Sequence, residues 1–288
     1  MSESNKRNFI VHGSILAIAG ILVRIIGMLY RIPVVNIIGS EGNGIYGAAF
    51  NIYNIMLVLS SYGLPMAVSK LVSARFTKKR YKSAAKVLRC SLMVAVCTGG
   101  IAALLVFFGA SFIENVIYGG GLPGLAVPLR ILAPTIFLVA ILGVIRGFFQ
   151  GQSTMIPTAV SQILEQIVNA IVSIAAGYGM MKAFASLPDV AAYGAAGSTL
   201  GTAMGALTAV LFMGFLYAVY TPTFNRLKRK DRHTENQSTF SLGYIYTYER
   251  CTSLLTFVHQ TPNLERCEVV VVCVVWRRRC RCRWFPES

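Results

Sequence analysis

Two arginines, Arg24 and Arg31, lie inside a long apolar run from Phe9 to Gly39. They are seven residues apart, about two helical turns, so a helix places both on one face. Taken in steps of three and four, the rest of that face is Gly13, Ala17, Gly20 and Gly27. The other faces carry Ile15, Ile18, Ile21, Leu22, Ile25, Ile26 and Leu29. A charged side chain at the centre of a bilayer costs about 2.5–3.5 kcal/mol on insertion scales. A helix with two arginines on a stripe of small residues therefore turns that stripe away from lipid, toward a cavity. The planar guanidinium fork matches two oxygens of a phosphate. The expected chemistry is the holding of a phosphate or pyrophosphate group by Arg24 and Arg31.

A second polar stripe lies between residues 154 and 180: Thr158, Gln162, Glu165, Gln166, Asn169 and Ser173. Gln162, Glu165 and Asn169 fall at helical spacing, with Gln166 bordering them. A third runs through Gly47, Asn51, Asn54, Ser61 and Pro65. Glu165 is the only carboxylate well inside an apolar run, at a depth similar to that of Arg24. It can neutralise one arginine and not both, which leaves a net positive field. Asn51, Asn54, Gln162, Glu165, Gln166 and Asn169 are the expected polar lining of the cavity. A plainer reading is helix–helix adhesion, at about 0.6–2 kcal/mol per interhelical amide bond. The sequence contains no Walker loop, HExxH or GxSxG, and its three histidines are scattered. These observations point to a transporter rather than an enzyme, with neither cofactor nor metal expected.

The elements that position these residues follow from composition. The chain has 288 residues, 55% of them hydrophobic and 13% charged, and a mean hydropathy of +0.60. That composition belongs to a polytopic membrane protein. Spanning a bilayer takes about 20 mostly apolar residues, and six runs qualify: about 10–38, 46–73, 88–110, 126–148, 154–180 and 193–220. The net charge of +16 does not mark a nucleic-acid binder, because the basic residues cluster between apolar runs. They precede the first span, separate the second from the third and the fourth from the fifth (Arg146), and follow the sixth. The intervening segments carry few, so the positive-inside rule puts the N-terminus in the cytoplasm. The first run is too long for a signal-peptide core and is read as an uncleaved span. Gly63, Pro65, Pro134 and Pro157 are expected to bend their helices.

Residues 1–8 read as a cytoplasmic N-terminus and 9–220 as a six-span transmembrane lobe. Residues 221–247 read as a basic cytoplasmic loop with the start of a seventh span. The pattern changes at 248–288. Five of the seven cysteines and both tryptophans fall there, and every basic residue is arginine. This end reads as frameshifted, against the rivals of a palmitoylated or metal-binding tail. Cys90 and Cys97 sit in an apolar run and read as small buried side chains.

Arg146-Gly-Phe-Phe-Gln-Gly151, followed by Met155 to Thr158 and Ser161 to Gln166, resembles the signature of the stage V sporulation protein B family. So do Arg24 to Arg31 with Gly39 and Gly42 to Tyr46, and Gly63-Leu-Pro65 followed by Ser69-Lys70. That family sits in the polysaccharide-export branch of the multidrug/oligosaccharidyl-lipid/polysaccharide flippase superfamily, together with lipid II flippases. The resemblance covers roughly residues 5–247. It implies an all-α, MATE-like fold of two lobes around a central cavity, of which this chain holds the six-helix N-terminal lobe. It also implies alternating access in the bacterial inner membrane. The implied cargo is an undecaprenyl-pyrophosphate-linked oligosaccharide or peptidoglycan precursor, for wall, polysaccharide or spore synthesis. Arginines of the first helix line a cationic cavity in lipid II flippases, a role that falls here on Arg24 and Arg31. The expected partners are the lipid-linked glycan and membrane lipids, not nucleic acid. Two alternatives stand beside this: a cation-coupled multidrug exporter of the same superfamily, and a non-functional or scaffolding membrane fragment.

Overall fold

Gly39 decides how the first third of the chain folds. In the computed structural model, which describes residues 3–231 except 62, 187 and 188, a helical stretch, α1, runs from Glu3 to Ser60 in two segments. At 1.5 Å per residue a straight helix of that length would be about 87 Å long, nearly three times the hydrocarbon core. Gly39 breaks it with φ 71° and ψ −176°, a region that is essentially glycine-only. The Arg31 guanidinium consequently lies 6.0 Å from the centroid of the Tyr46 ring. Fifteen residues of straight helix would separate those positions by about 22 Å. The chain therefore folds back sharply, and α1 holds two membrane passes. The glycine-rich stretch 39–44, read as a loop, is instead a hinge at one residue with helix on both sides.

The second pass is itself interrupted. Helix α1 ends at Ser60 and α2 spans Leu64–Thr77, with a proline in its first turn. Proline suits that place because the first amides of a helix have no partner within it. The expected stripe from Gly47 to Pro65 is not continuous for this reason. Asn51 and Asn54 are exposed, Ser61 is buried, and Pro65 packs against Gly143 of the fourth helix. Helix α3 is Tyr81–Phe112 and continues into a π-helical turn, Ile113–Ile117. Helix α4 is Ala126–Gly151, α5 is Ile156–Ala183 and α6 is Val190–Lys230. Among the described residues five stretches are long and apolar enough to cross a membrane, the first being Gly13–Thr77. That stretch contains the hinge, so the described residues hold helices for six passes. It is an all-α, multi-pass membrane protein.

The turns meet at two ends. At one, the backbone amide of Lys82 donates to the Asp231 carboxylate at 2.9 Å. A carboxylate at a helix N-terminus meets unpaired amides and the positive end of the helix dipole. Beside it Phe76 stacks on Phe224 and meets Tyr81 edge-on. Arg75, Lys78, Lys79, Arg80, Arg89, Arg226, Arg229 and Lys230 all fall near this end. The basic segment after the sixth span was read as a loop from residue 221, but it is helical as far as Lys230. At the opposite end Glu114 accepts from the amides of Gly124 and Ala126 at 3.0 and 2.7 Å. Gly119, Gly120 and Gly124 adopt positive φ there, and Gly42 closes on Ala191.

Close helix contacts are made by glycines. A Cβ on Gly205 of α6 would lie 2.7 Å from the carbonyl oxygen of Glu165, and one on Gly201 would lie 2.6 Å from the amide nitrogen of Ser173. Small residues let membrane helices approach to backbone contact. Gly147 and Gly151 of α4 meet the α2 carbonyls of Pro65 and Ser69 in the same way, at 2.6 and 2.8 Å. The buried core lies between these pairs and includes Leu129, Leu132, Ile136, Phe148 and Phe224. Residues 1–2, the rest of the expected basic loop with the start of a seventh span at 232–247 and the expected aberrant end at 248–288 lie outside the described residues.

Candidate functional site

The first pass of α1 has three distinct sides. Ala19, Tyr30, Val34 and Ile38 pack inward, and Ile18, Ile21, Leu22, Met28, Leu29 and Ile32 are exposed apolar residues. Arg24 and Arg31 are exposed and lie between these sides, about 100° round from the packed centre at 100° per residue. Gly27, one turn from each, sits at the border. Its Cβ position is 4.0 Å from Oε1 of Gln166 on α5. Gly13 and Gly20 meet nothing within 4 Å. The small-residue stripe is thus open at Gly13 and Gly20, and an amide of α5 approaches it at Gly27.

Helix α5 brings the rest of the polar group. Asn169 is buried, and its Nδ2 donates to the Tyr30 hydroxyl at 3.2 Å. Its Oδ1 accepts from Ser173 at 2.9 Å and from Thr202 at 3.4 Å. Ser173 also lies 2.8 Å from the carbonyl oxygen of Ser198 on α6. Tyr30 lies close to Tyr46 across the hinge. Asn169 therefore ties α5 to α1 and α6, as an interhelical brace rather than an open lining group. Gln162 is half-buried on the same side of α5. Asn51 and Asn54, on the second pass, make no hydrogen bond to either arginine among the described residues.

The expected counter-charge is corrected. Glu165 does not pair with Arg24 or Arg31; its Oε2 accepts from Nη2 of Arg146 at 2.8 Å. Arg146 is expected among the basic residues that separate the fourth span from the fifth; it lies inside α4, five residues before its end. The turn 152–155 returns the chain at once, so residues just before it on α4 face residues just after it on α5. Nε of Arg146 donates to Ser161 at 2.9 Å, and Ser161 donates to the Thr158 carbonyl at 2.8 Å. Both members of the pair are largely buried, at 14% and 20% exposure. The pair is neutral. Arg24 and Arg31 have no acidic partner among the described residues. The net charge of the site is carried by these two, and it is positive.

Sequence reasoning missed this pairing, although its signal was present: a cation shortly before a tight turn and a carboxylate shortly after it. It also missed the cation–π shelf under Arg31, which exists only because Gly39 folds Tyr46 back.

A sequence profile described as polysaccharide biosynthesis protein matches residues 10–258. The chain belongs to that family. Three family relatives come from Bacillus subtilis (strain 168). Stage V sporulation protein B is 31% identical over 209 residues, 72% of this chain and 39% of its own. Lipid II flippase MurJ is 34% identical over 176 residues, 59% of this chain and 32% of its own. The uncharacterized membrane protein YabM is 30% identical over 265 residues, 90% of this chain and 47% of its own. The matches thus take in about a third to a half of each relative's length. The fold also matches solved transporters. A MATE structure in complex with MaD5 aligns with a TM-score of 0.62 at 17% identity, covering 91% of this chain and 60% of that one. A MOP superfamily transporter from Pyrococcus furiosus aligns at 0.58 and 17% identity, covering 93% and 59%. The expected family and fold class are borne out.

Proposed function

We propose that this chain is the N-terminal lobe of a flippase that moves an undecaprenyl-pyrophosphate-linked oligosaccharide or peptidoglycan precursor across the bacterial cytoplasmic membrane. The observation that carries the reading is that Arg24 and Arg31 have no acidic partner among the described residues and lie on an open, glycine-lined flank, while Glu165 is neutralised by Arg146. Each guanidinium offers a fork of donors to phosphate oxygens. Gln166 adds an uncharged amide beside Gly27, and Tyr46 supports Arg31. The apolar face of α1 beside the arginines lets a lipid tail stay in the bilayer while its pyrophosphate enters the flank. Alternating access then comes from rocking of this lobe against a second. The names of two relatives, a lipid II flippase and a sporulation protein, support this class of cargo.

The basic end faces the cytoplasm in this reading, with the N-terminus on that side. Export of cationic drugs is disfavoured because two uncompensated arginines repel a cation. A purely scaffolding role leaves two charges in a membrane helix without a purpose, at a cost of several kcal/mol. The deciding experiment measures flipping of a fluorescent polyprenyl diphosphate in proteoliposomes, with Arg24→Ala against the parent. Loss of flipping in a variant that still inserts and stays monodisperse is the expected result. Unchanged flipping removes Arg24 from the mechanism.

A further inference from the structure

The ion pair of Arg146 and Glu165 does more than join two helices. Glu165 lies one helical turn before Asn169, whose side chain bonds Tyr30 of α1 on the helix that carries Arg24 and Arg31. Among the described residues it is the carboxylate well inside a membrane pass, and so the anion best placed to compete for those arginines. What prevents this is geometric. Arg146 is held at two points, by Nη2 on Glu165 and by Nε on Ser161, and Ser161 is itself fixed by its bond to the Thr158 carbonyl. The guanidinium is thus aimed at the carboxylate by a chain of three hydrogen bonds. Both groups are too buried to exchange freely with water, yet neither is sealed off.

We propose that Arg146 is a charge guard, a positioning residue that sequesters Glu165 and so keeps the flank of Arg24 and Arg31 open to an external anion. The proposal rests on the reading of that flank as a pyrophosphate site and adds the part that makes it work. Without Arg146 the Glu165 carboxylate turns to the nearest uncompensated cations, and the site closes on itself. A clip that only fastened α4 to α5 would have no such effect on the local potential.

The test needs a readout that does not depend on the ligand. Gly20 lies on the arginine stripe with nothing within 4 Å of its Cβ position, so Gly20→Cys fits there. The seven native cysteines are first replaced by serine. The ratio of modification rates by an anionic and a cationic methanethiosulfonate then reports the potential beside Arg24. Arg146→Gln is expected to lower that ratio at least about tenfold. Arg146→Gln combined with Glu165→Gln is expected to restore it, and Arg146→Lys to keep most of it. Binding of farnesyl diphosphate, measured on the same variants with position 20 returned to glycine, is expected to follow the same order.

An unchanged ratio in Arg146→Gln overturns the guard. So does a double variant as low as the single one, because Arg146 would then act through packing or by touching the anion itself. If the parent chain binds no farnesyl diphosphate, the pyrophosphate reading fails, while the rate ratios still decide the guard. Should Arg146→Gln not insert, the Arg146→Lys and double variants carry the comparison: a low ratio in the double variant refutes the proposal.

Discussion

Replacing Gly201 by alanine tests how α5 is held in place. A Cβ there would lie 2.6 Å from the Ser173 nitrogen and 2.7 Å from the Asn169 carbonyl oxygen, and would also collide with the Ser173 hydroxyl. Real Cβ atoms stay beyond about 3.4 Å of most neighbours, so the helices must part by roughly 0.7–0.8 Å. Two of the three colliding atoms are backbone and cannot swing aside. Overpacking of this kind costs about 1–3 kcal/mol. The shift also strains the bond of the Ser173 hydroxyl, whose one proton serves the Ser198 carbonyl or Asn169 Oδ1, worth about 0.6 kcal/mol in a membrane protein. A loss of about 2–4 kcal/mol follows, a factor of about 30 to 1000 in the folding equilibrium. The assay is unfolding of the purified protein in mixed micelles, with Gly214→Ala as the control. Gly214 lies on the same helix with nothing within 4 Å of its Cβ position, so alanine there gains up to about 1 kcal/mol from helix propensity. If Gly201→Ala lies within about 0.5 kcal/mol of the parent, the glycine contact does not position α5.

Two further perturbations address the hinge and the topology. Gly39→Ala forces a side chain into a backbone region reserved for glycine and should cost about 1–3 kcal/mol; it should also lower Tyr30–Tyr46 disulfide cross-linking when both are cysteine, and undiminished cross-linking argues against a fixed hinge. Cysteines at Lys79 and Asn115 should react with impermeant reagents from opposite sides of the membrane, Lys79 from the cytoplasm, and reaction from the same side would refute the six-pass arrangement.

The passes were legible because each helix carries its own apolar run, and the hydrophobic thickness fixes how long that run must be. The two arginines were legible because seven-residue spacing on one helix needs no knowledge of its neighbours. Arg146 was not. Its placement depends on where α4 ends, and Gln150-Gly-Gln-Ser153 reads equally well as a loop beginning some residues earlier. Counted with the charges between the fourth and fifth spans, Arg146 was not considered as a partner, and Glu165 was set against the arginines of the first helix. The brace at Asn169 was named, but its partners Tyr30, Ser173 and Thr202 come from three helices. Their meeting is set by how closely Gly201 and Gly205 let α6 approach. Helical spacing describes one face of one helix, whereas contact between helices depends on the absence of side chains, which carries little signal in a chain with 26 glycines.

The central claim is that Arg24 and Arg31 form an anion site. Titration of the purified chain in uncharged micelles with farnesyl diphosphate tests it most directly, comparing the parent with Arg24→Ala/Arg31→Ala at low and high salt. The account predicts saturable binding by the parent that weakens as salt rises, and at least a hundredfold loss in the double variant. Equal affinity in the two proteins, or preferential binding of a lipophilic cation by the parent, would contradict it.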